Sequence, residues 1–202
     1  MRPLLRSFTT AGVLAATMLV GNLGATASAT PATATPLVGG TTTVTTGPGI
    51  AGTLLRNGIL PLATPPGRQS IGIGHGSLTT SFSFPVTGGA VDLTTLAGTI
   101  KHRGGIAFVN LRNGKKLAVD NFVIDTRTGV LTGRVNKTST RVPVFTLDLS
   151  AATVSAAGRQ VKVGNIDVRL TATAAGALNQ ALGTHVFTGG LDLGTARTTL
   201  RV

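Results

Sequence analysis

Between Leu96 and Asn136 the chain reads LAGTIKHRGGIAFVNLRNGKKLAVDNFVIDTRTGVLTGRVN, four strand-like runs in succession broken by glycine-containing reversals. Asn113-Gly114 predicts a two-residue hairpin of type I′, because both turn positions require positive φ. Thr128-Gly129 predicts a second reversal and Gly104-Gly105 a third. The same alternation extends upstream. Leu78, Thr80, Phe82, Phe84 and Val86 share one parity, while Ser81, Ser83 and Pro85 take the other, the pattern of a half-buried strand. Gly88-Gly89 reads as a hairpin turn after it. Downstream, Phe145, Leu147 and Leu149 alternate with Thr146, Asp148 and Ser150. Val161 and Val163 match the parity of Ile166, Val168 and Leu170 only if one residue is skipped, which predicts a β-bulge at Gly164-Asn165.

Two short helical patterns interrupt the strands. Pro48 opens the first, Ile50, Ala51, Leu54 and Leu55 form its apolar face, and Gly58 closes it. Thr173 is the expected cap of the second. Ala174, Ala177, Leu178, Ala181 and Leu182 follow at helical spacing, and Gly183 ends it. Val186-Phe187 and Ala196 to Val202 are expected to complete the sheet. About ten short strands with only two short helices define an all-β fold, an antiparallel β-sandwich or barrel. The helices lie near the two ends of the domain and are expected to plug its open ends.

The N-terminus reads as a secretory signal peptide over residues 1–29. Arg2 and Arg6 are basic, Phe8 to Val20 is apolar, and Ala25-Thr26-Ala27 or Ala27-Ser28-Ala29 supplies the small-residue cleavage site. The apolar run is too short to span a bilayer, so no membrane span is expected after cleavage. Residues 30–40, TPATATPLVGG, read as a disordered Pro/Thr/Ala linker, leaving one β-rich domain at 41–202. An exported chain without cysteine forgoes disulfides, so its core must suffice.

The formal net charge is +12, with six aspartates and no glutamate; loss of Arg2 and Arg6 leaves +10. Such a chain is drawn to anionic cell-envelope polymers. Nucleic acid is not expected, because Trp and Tyr are absent and the basic residues form no stripe. No catalytic motif is found. Gly72-Ile73-Gly74-His75-Gly76-Ser77 has neither dinucleotide-loop nor nucleophile-elbow spacing. His75, His102 and His185 share no metal-ligand spacing. Asp120 and Asp125 differ by five, which places them on opposite faces of a regular strand. The expectation is a non-enzymatic binding or structural domain, secreted or held at the envelope. His102 is the residue set apart: it has the parity of inward-facing Ile100, and Lys101 and Arg103 beside it could help it hold a planar anion.

The segments FPVTGGAVDLTTLAGTIKHRGG (84–105), DNFVIDT (120–126), RVPVFTLDLSAATV (141–154) and LTATAAGALNQALG (170–183) resemble a widespread family of exported proteins of high-GC Gram-positive bacteria. More distantly, the Gly98–Val135 block resembles the HtaA domain, a β-rich haem-binding module of actinobacterial haem uptake, with His102-Arg103-Gly104 matching its H-x-G. The resemblance implies haem as ligand. That family holds haem through a tyrosine, and this chain has none, which leaves His102 as a candidate substitute ligand or a residue supporting one.

Overall fold

The computed structural model describes residues 34–74 and 76–202. The expected signal peptide, the first residues of the expected linker (30–33) and His75 lie outside the described residues. In chain order the elements are β1 Thr35–Pro36, β2 Gly39–Thr46, α1 Ile50–Arg56, β3 Ile59–Thr64, β4 Arg68–Gly74, β5 Ser77–Val91, β6 Gly98–His102 and β7 Gly105–Asn110. They continue with β8 Lys116–Asp125, β9 Val130–Val135, β10 Arg141–Asp148, β11 Thr153–Ala157, β12 Gln160–Leu170, α2 Ala172–Leu182 and β13 Asp192–Arg201. No helix among the described residues is long and apolar enough to cross a membrane.

Eight of these strands close into an antiparallel barrel in the order β5-β2-β13-β12-β10-β9-β8-β6, and β6 completes the ring by pairing with both β8 and β5. Closure selects the barrel over the sandwich. β1 and β4 add to β5, β11 adds to β12, and β7 with β3 extends from β8. The inward parity read from the sequence supplies the core: Phe82, Phe84 and Val86 from β5, Phe145 and Leu147 from β10, and Val161, Val163, Ile166, Val168 and Leu170 from β12 are all buried. The expected bulge is present. The β12–β13 register shifts between Val163 and Ile166, and Asn165 has φ 55°.

Several local expectations are corrected. Gly104-Gly105 is no reversal, because β6 and β7 follow one another along the same partner, β8. At Gly105 a Cβ would meet the Val119 carbonyl oxygen at 2.1 Å, so glycine is needed for the β8 backbone to come close. Gly88-Gly89 lies inside β5 at a register shift, not at a hairpin. The β7–β8 connection is longer than two residues: Asn110 N–H donates to the Lys115 carbonyl at 2.9 Å, and Asn113 lacks positive φ. The Thr128-Gly129 reversal stands, with Gly129 at φ 64° between β8 and β9.

The domain also starts before residue 41. Thr35 and Pro36 pair with Val91 and Ala90, and Leu37 is buried, since the edge of β5 offers free hydrogen-bonding groups and apolar cover. In α1, Ala51 and Leu54 are buried while Leu55 is exposed, because seven residues present only a narrow apolar stripe. The cap of α2 is Thr171, not Thr173; its hydroxyl accepts from Ala174 N–H at 3.1 Å. Val186-Phe187 forms no strand. The Asn179 carboxamide instead brackets Phe187, donating to its carbonyl at 2.7 Å and accepting from its N–H at 3.1 Å. Both helices line one and the same cavity, rather than plugging opposite ends.

Candidate functional site

The last residue of β6, His102, points into the barrel, as its parity with Ile100 requires, and is 4% exposed. Its register partner on β5 is Val86. The imidazole Nε2 lies 2.7 Å from Thr42 Oγ1, and Thr42 Oγ1 lies 2.9 Å from Thr198 Oγ1. Thr42 and Thr198 face each other across the β2–β13 ladder, and both are buried. One hydroxyl of Thr42 thus serves two neighbours. Nδ1 is buried without a hydrogen-bond partner among the described residues. Burial pushes the pKa of His102 down to about 4, and the nearby Phe122 backbone, outside hydrogen-bond geometry, offsets this in part. The ring is therefore neutral at neutral pH.

His102 borders a cavity of about 70 Å³. Its walls combine the barrel interior with Ile50 and Leu54 of α1, Leu178 of α2, Pro61 of β3, and Phe187 and Leu193 from the segments after α2. Beyond Phe8, every phenylalanine in the chain lines it: Phe82, Phe84, Phe108, Phe122, Phe145 and Phe187. Phe84 meets Phe122 edge-on at 5.1 Å, and Phe108 meets Phe187 in the same way at 5.9 Å. Thr42, Thr46 and His102 are the only polar residues in this lining. A smaller cavity of about 30 Å³ is bordered by Ile100, Thr198 and Leu200. The Thr42–His102–Thr198 group thus sits between two apolar spaces, Thr42 and His102 facing one and Thr198 the other.

The residues singled out from the sequence are not brought together. Lys101 and Arg103 are exposed while His102 is buried, the outcome that a period of two dictates. His185 is exposed, and no cluster of three or more potential metal ligands occurs among the described residues. The carboxylates serve the scaffold. Asp92 accepts from Thr94 and Thr95 N–H, both at 2.8 Å, and these bonds hold its pKa below the usual carboxylate range. Asp148 is lowered by Ser150 in the same way. Asp120 pairs with Arg134 at 3.2 Å. Asp120 and Asp125 are not on opposite faces: β8 is irregular between Asp120 and Val123, with Asn121 at φ 49°, and the extra residue restores a shared outward parity. Thr42 escaped sequence reading because it lies in the run Thr41-Thr42-Thr43, where inner and outer faces carry the same residue.

These elements define a class: a closed antiparallel β-barrel domain with an apolar interior, one sealed histidine, and no assembled acid, base and nucleophile among the described residues. The family model for the HtaA domain (Htaa) matches residues 66–184, and the chain belongs to that family. Among solved structures, the C-terminal domain of HtaA from Corynebacterium glutamicum superposes with a TM-score of 0.54 at 20% identity, covering 84% of this chain and 99% of that one. The heme binding protein HtaB from the same organism gives a TM-score of 0.46 at 14% identity, over 84% of this chain and 96% of that one. The first likeness establishes a shared fold. No curated protein matches the chain.

Proposed function

We propose that this HtaA-family domain is a non-enzymatic, exported binding module of the cell envelope, held to anionic envelope polymers by its outer surface. The observation that carries the reading is electrostatic. Residues 34–202 contain every Lys and Arg except Arg2 and Arg6, sixteen in all, against six Asp. Arg134–Asp120 is the single ion pair among the described residues. A surface so short of internal partners attracts polyanions, and does so less as salt rises. The outer wall also offers local complementarity. Arg68, Ser83, Thr43 and Arg197 fall on one rung across β4, β5, β2 and β13, and Thr43 Oγ1 lies 3.0 Å from Ser83 Oγ. Guanidinium groups flanking hydroxyls suit phosphate or carboxylate groups repeated along a polymer. The test is sedimentation with purified cell walls at low and high salt. Binding at low salt that high salt releases, and that Arg68→Gln with Arg197→Gln weakens, is expected; no binding at low salt refutes the reading.

A second reading, a site for haem or a similar apolar anion, is favoured by membership of the HtaA family. The residues at His102 do not fit haem. The ring is sealed, the chain contains no tyrosine, and a cavity of about 70 Å³ falls well short of the roughly 300 Å³ at which ligand pockets begin. A hemin titration of residues 30–202, followed at the Soret band beside His102→Ala, separates the two readings. A saturable band lost in the variant favours haem at His102, and a featureless titration leaves the envelope reading alone.

A further inference from the structure

Strand β3, which contributes Pro61 to the lining of the larger cavity, has no strand partner on one edge among the described residues. β3 ends the strand order and β4 pairs only with β5, so no backbone ladder joins β3 to β4 among the described residues. One side chain bridges the seam. Gln69 Oε1 accepts from Ala63 N–H at 3.0 Å, and Gln69 Nε2 donates to the Pro61 carbonyl at 3.2 Å. Pro61 itself lines the cavity.

An apolar strip leads away from this seam. On β5 the inward parity runs from Phe84 and Phe82, which line the cavity, through buried Thr80 to Leu78, which is 38% exposed. Register places Ile71 opposite Thr80 and Ile73 opposite Leu78, so both isoleucines stand on that same face. They are 68% and 84% exposed. Large aliphatic side chains this exposed, in a row that continues a cavity wall, mark a surface that gains from being covered.

We propose that this surface takes a free long-chain carboxylate: its methyl end enters the cavity beside His102 through the β3–β4 seam, and Ile71, Ile73 and Leu78 cover the methylenes outside. Three observations select this occupant. The cavity, at about 70 Å³, is about half the volume of an engineered apolar cavity that holds benzene, so it suits a slender chain end and not a ring system. The lining offers almost no polar partner, so the polar end of the guest must stay outside. Over the surface as a whole, exposed Lys and Arg far outnumber Asp, which favours an anionic head group. The polar group formed by Thr42, His102 and Thr198 limits how far the chain end can advance.

The test is displacement of 11-(dansylamino)undecanoic acid from the secreted chain by a series of sodium alkanoates, from octanoate to palmitate, each below its micelle concentration. Affinity is expected to rise about fourfold per added methylene while methylenes are being covered, then to level off. Alkyltrimethylammonium ions of equal length displace the probe much less. The double variant Ile71→Ser with Ile73→Ser weakens binding by about tenfold and keeps the wild-type urea midpoint, since both residues lie outside the core. Gln69→Ala, which unlatches the seam, speeds release of the probe. Absence of binding, affinity independent of chain length, equal binding of the cationic series, full affinity in the double variant, or binding to anionic vesicles without binding to alkanoates would each overturn the proposal.

Discussion

Mild acid should destabilise this protein through one residue. Burial holds His102 at a pKa of about 4, against 6.5 when exposed. The unfolded chain therefore binds the proton first, and protonation pulls toward unfolding. The contribution is fully present above pH 6.5, falls as pH drops below that value, and is lost by about pH 4. At about 1.4 kcal/mol per pKa unit, the gap corresponds to about 3 kcal/mol in all, of which about 2 kcal/mol is gone by pH 5. The window is clean because the chain has no glutamate. Hydrogen bonds hold the shifted aspartates, Asp92 and Asp148, below the usual carboxylate range, so their stabilisation is lost only in stronger acid. Urea titrations at pH 7, 6, 5.5 and 5, at constant ionic strength, measure the effect. Far-UV circular dichroism is the readout, since Trp and Tyr are absent. His102→Leu should flatten the profile and gain about 2 kcal/mol on the wild type between pH 7 and pH 5. A wild-type midpoint unchanged over this range, or an equal slope in the variant, would refute the reasoning.

Other substitutions probe the scaffold. Thr42→Val leaves His102 Nε2 and Thr198 Oγ1 without a common partner and should cost about 1–3 kcal/mol per stranded group. Adding Thr198→Val removes one of those groups and should recover part of the loss in urea midpoint. Thr171→Ala deletes the α2 cap, with an expected loss of about 1 kcal/mol in thermal unfolding. Two glycines should respond in opposite directions. Gly105→Ala drives a Cβ against Val119 and should destabilise by about 1–3 kcal/mol or more. Gly176→Ala, within α2 and with nothing near its Cβ position, should stabilise by about 0.5–1 kcal/mol.

What could be read from the sequence was what a strand or helix decides within a few residues. The inward rank of Phe82, Phe84 and Val86, the extra residue at Asn165 and the burial of Ala174, Leu178 and Leu182 on α2 all follow from local period. Which strands become neighbours does not. Nothing local in Gly98–His102 announces that it will pair with β5 on one side and β8 on the other and so close the ring. Glycine pairs misled for a related reason. Gly89, Gly104 and Gly105 are glycine because other backbones press against them, a demand set by partners distant in sequence, whereas a Cβ at Gly88 would meet nothing. At the candidate site, parity placed His102 inward correctly, and the same parity put Lys101 and Arg103 outside. Its hydrogen-bond partner, Thr42 of β2, is 60 residues away, and Thr42 in turn meets Thr198 of β13, 156 residues from it.

The place of β13 between β2 and β12 bears on how the molecule is made. One of the earliest strands waits for the last, so the ring has a gap until Asp192–Arg201 has emerged and docked. Bringing such distant segments together costs loop-closure entropy before any ladder repays it, and folding dominated by non-local pairing runs on the millisecond-to-second scale. A ribosome-bound chain halted before this final strand would hold hairpins without a barrel. The polypeptide thus stays open to threading until Asp192–Arg201 has been synthesised.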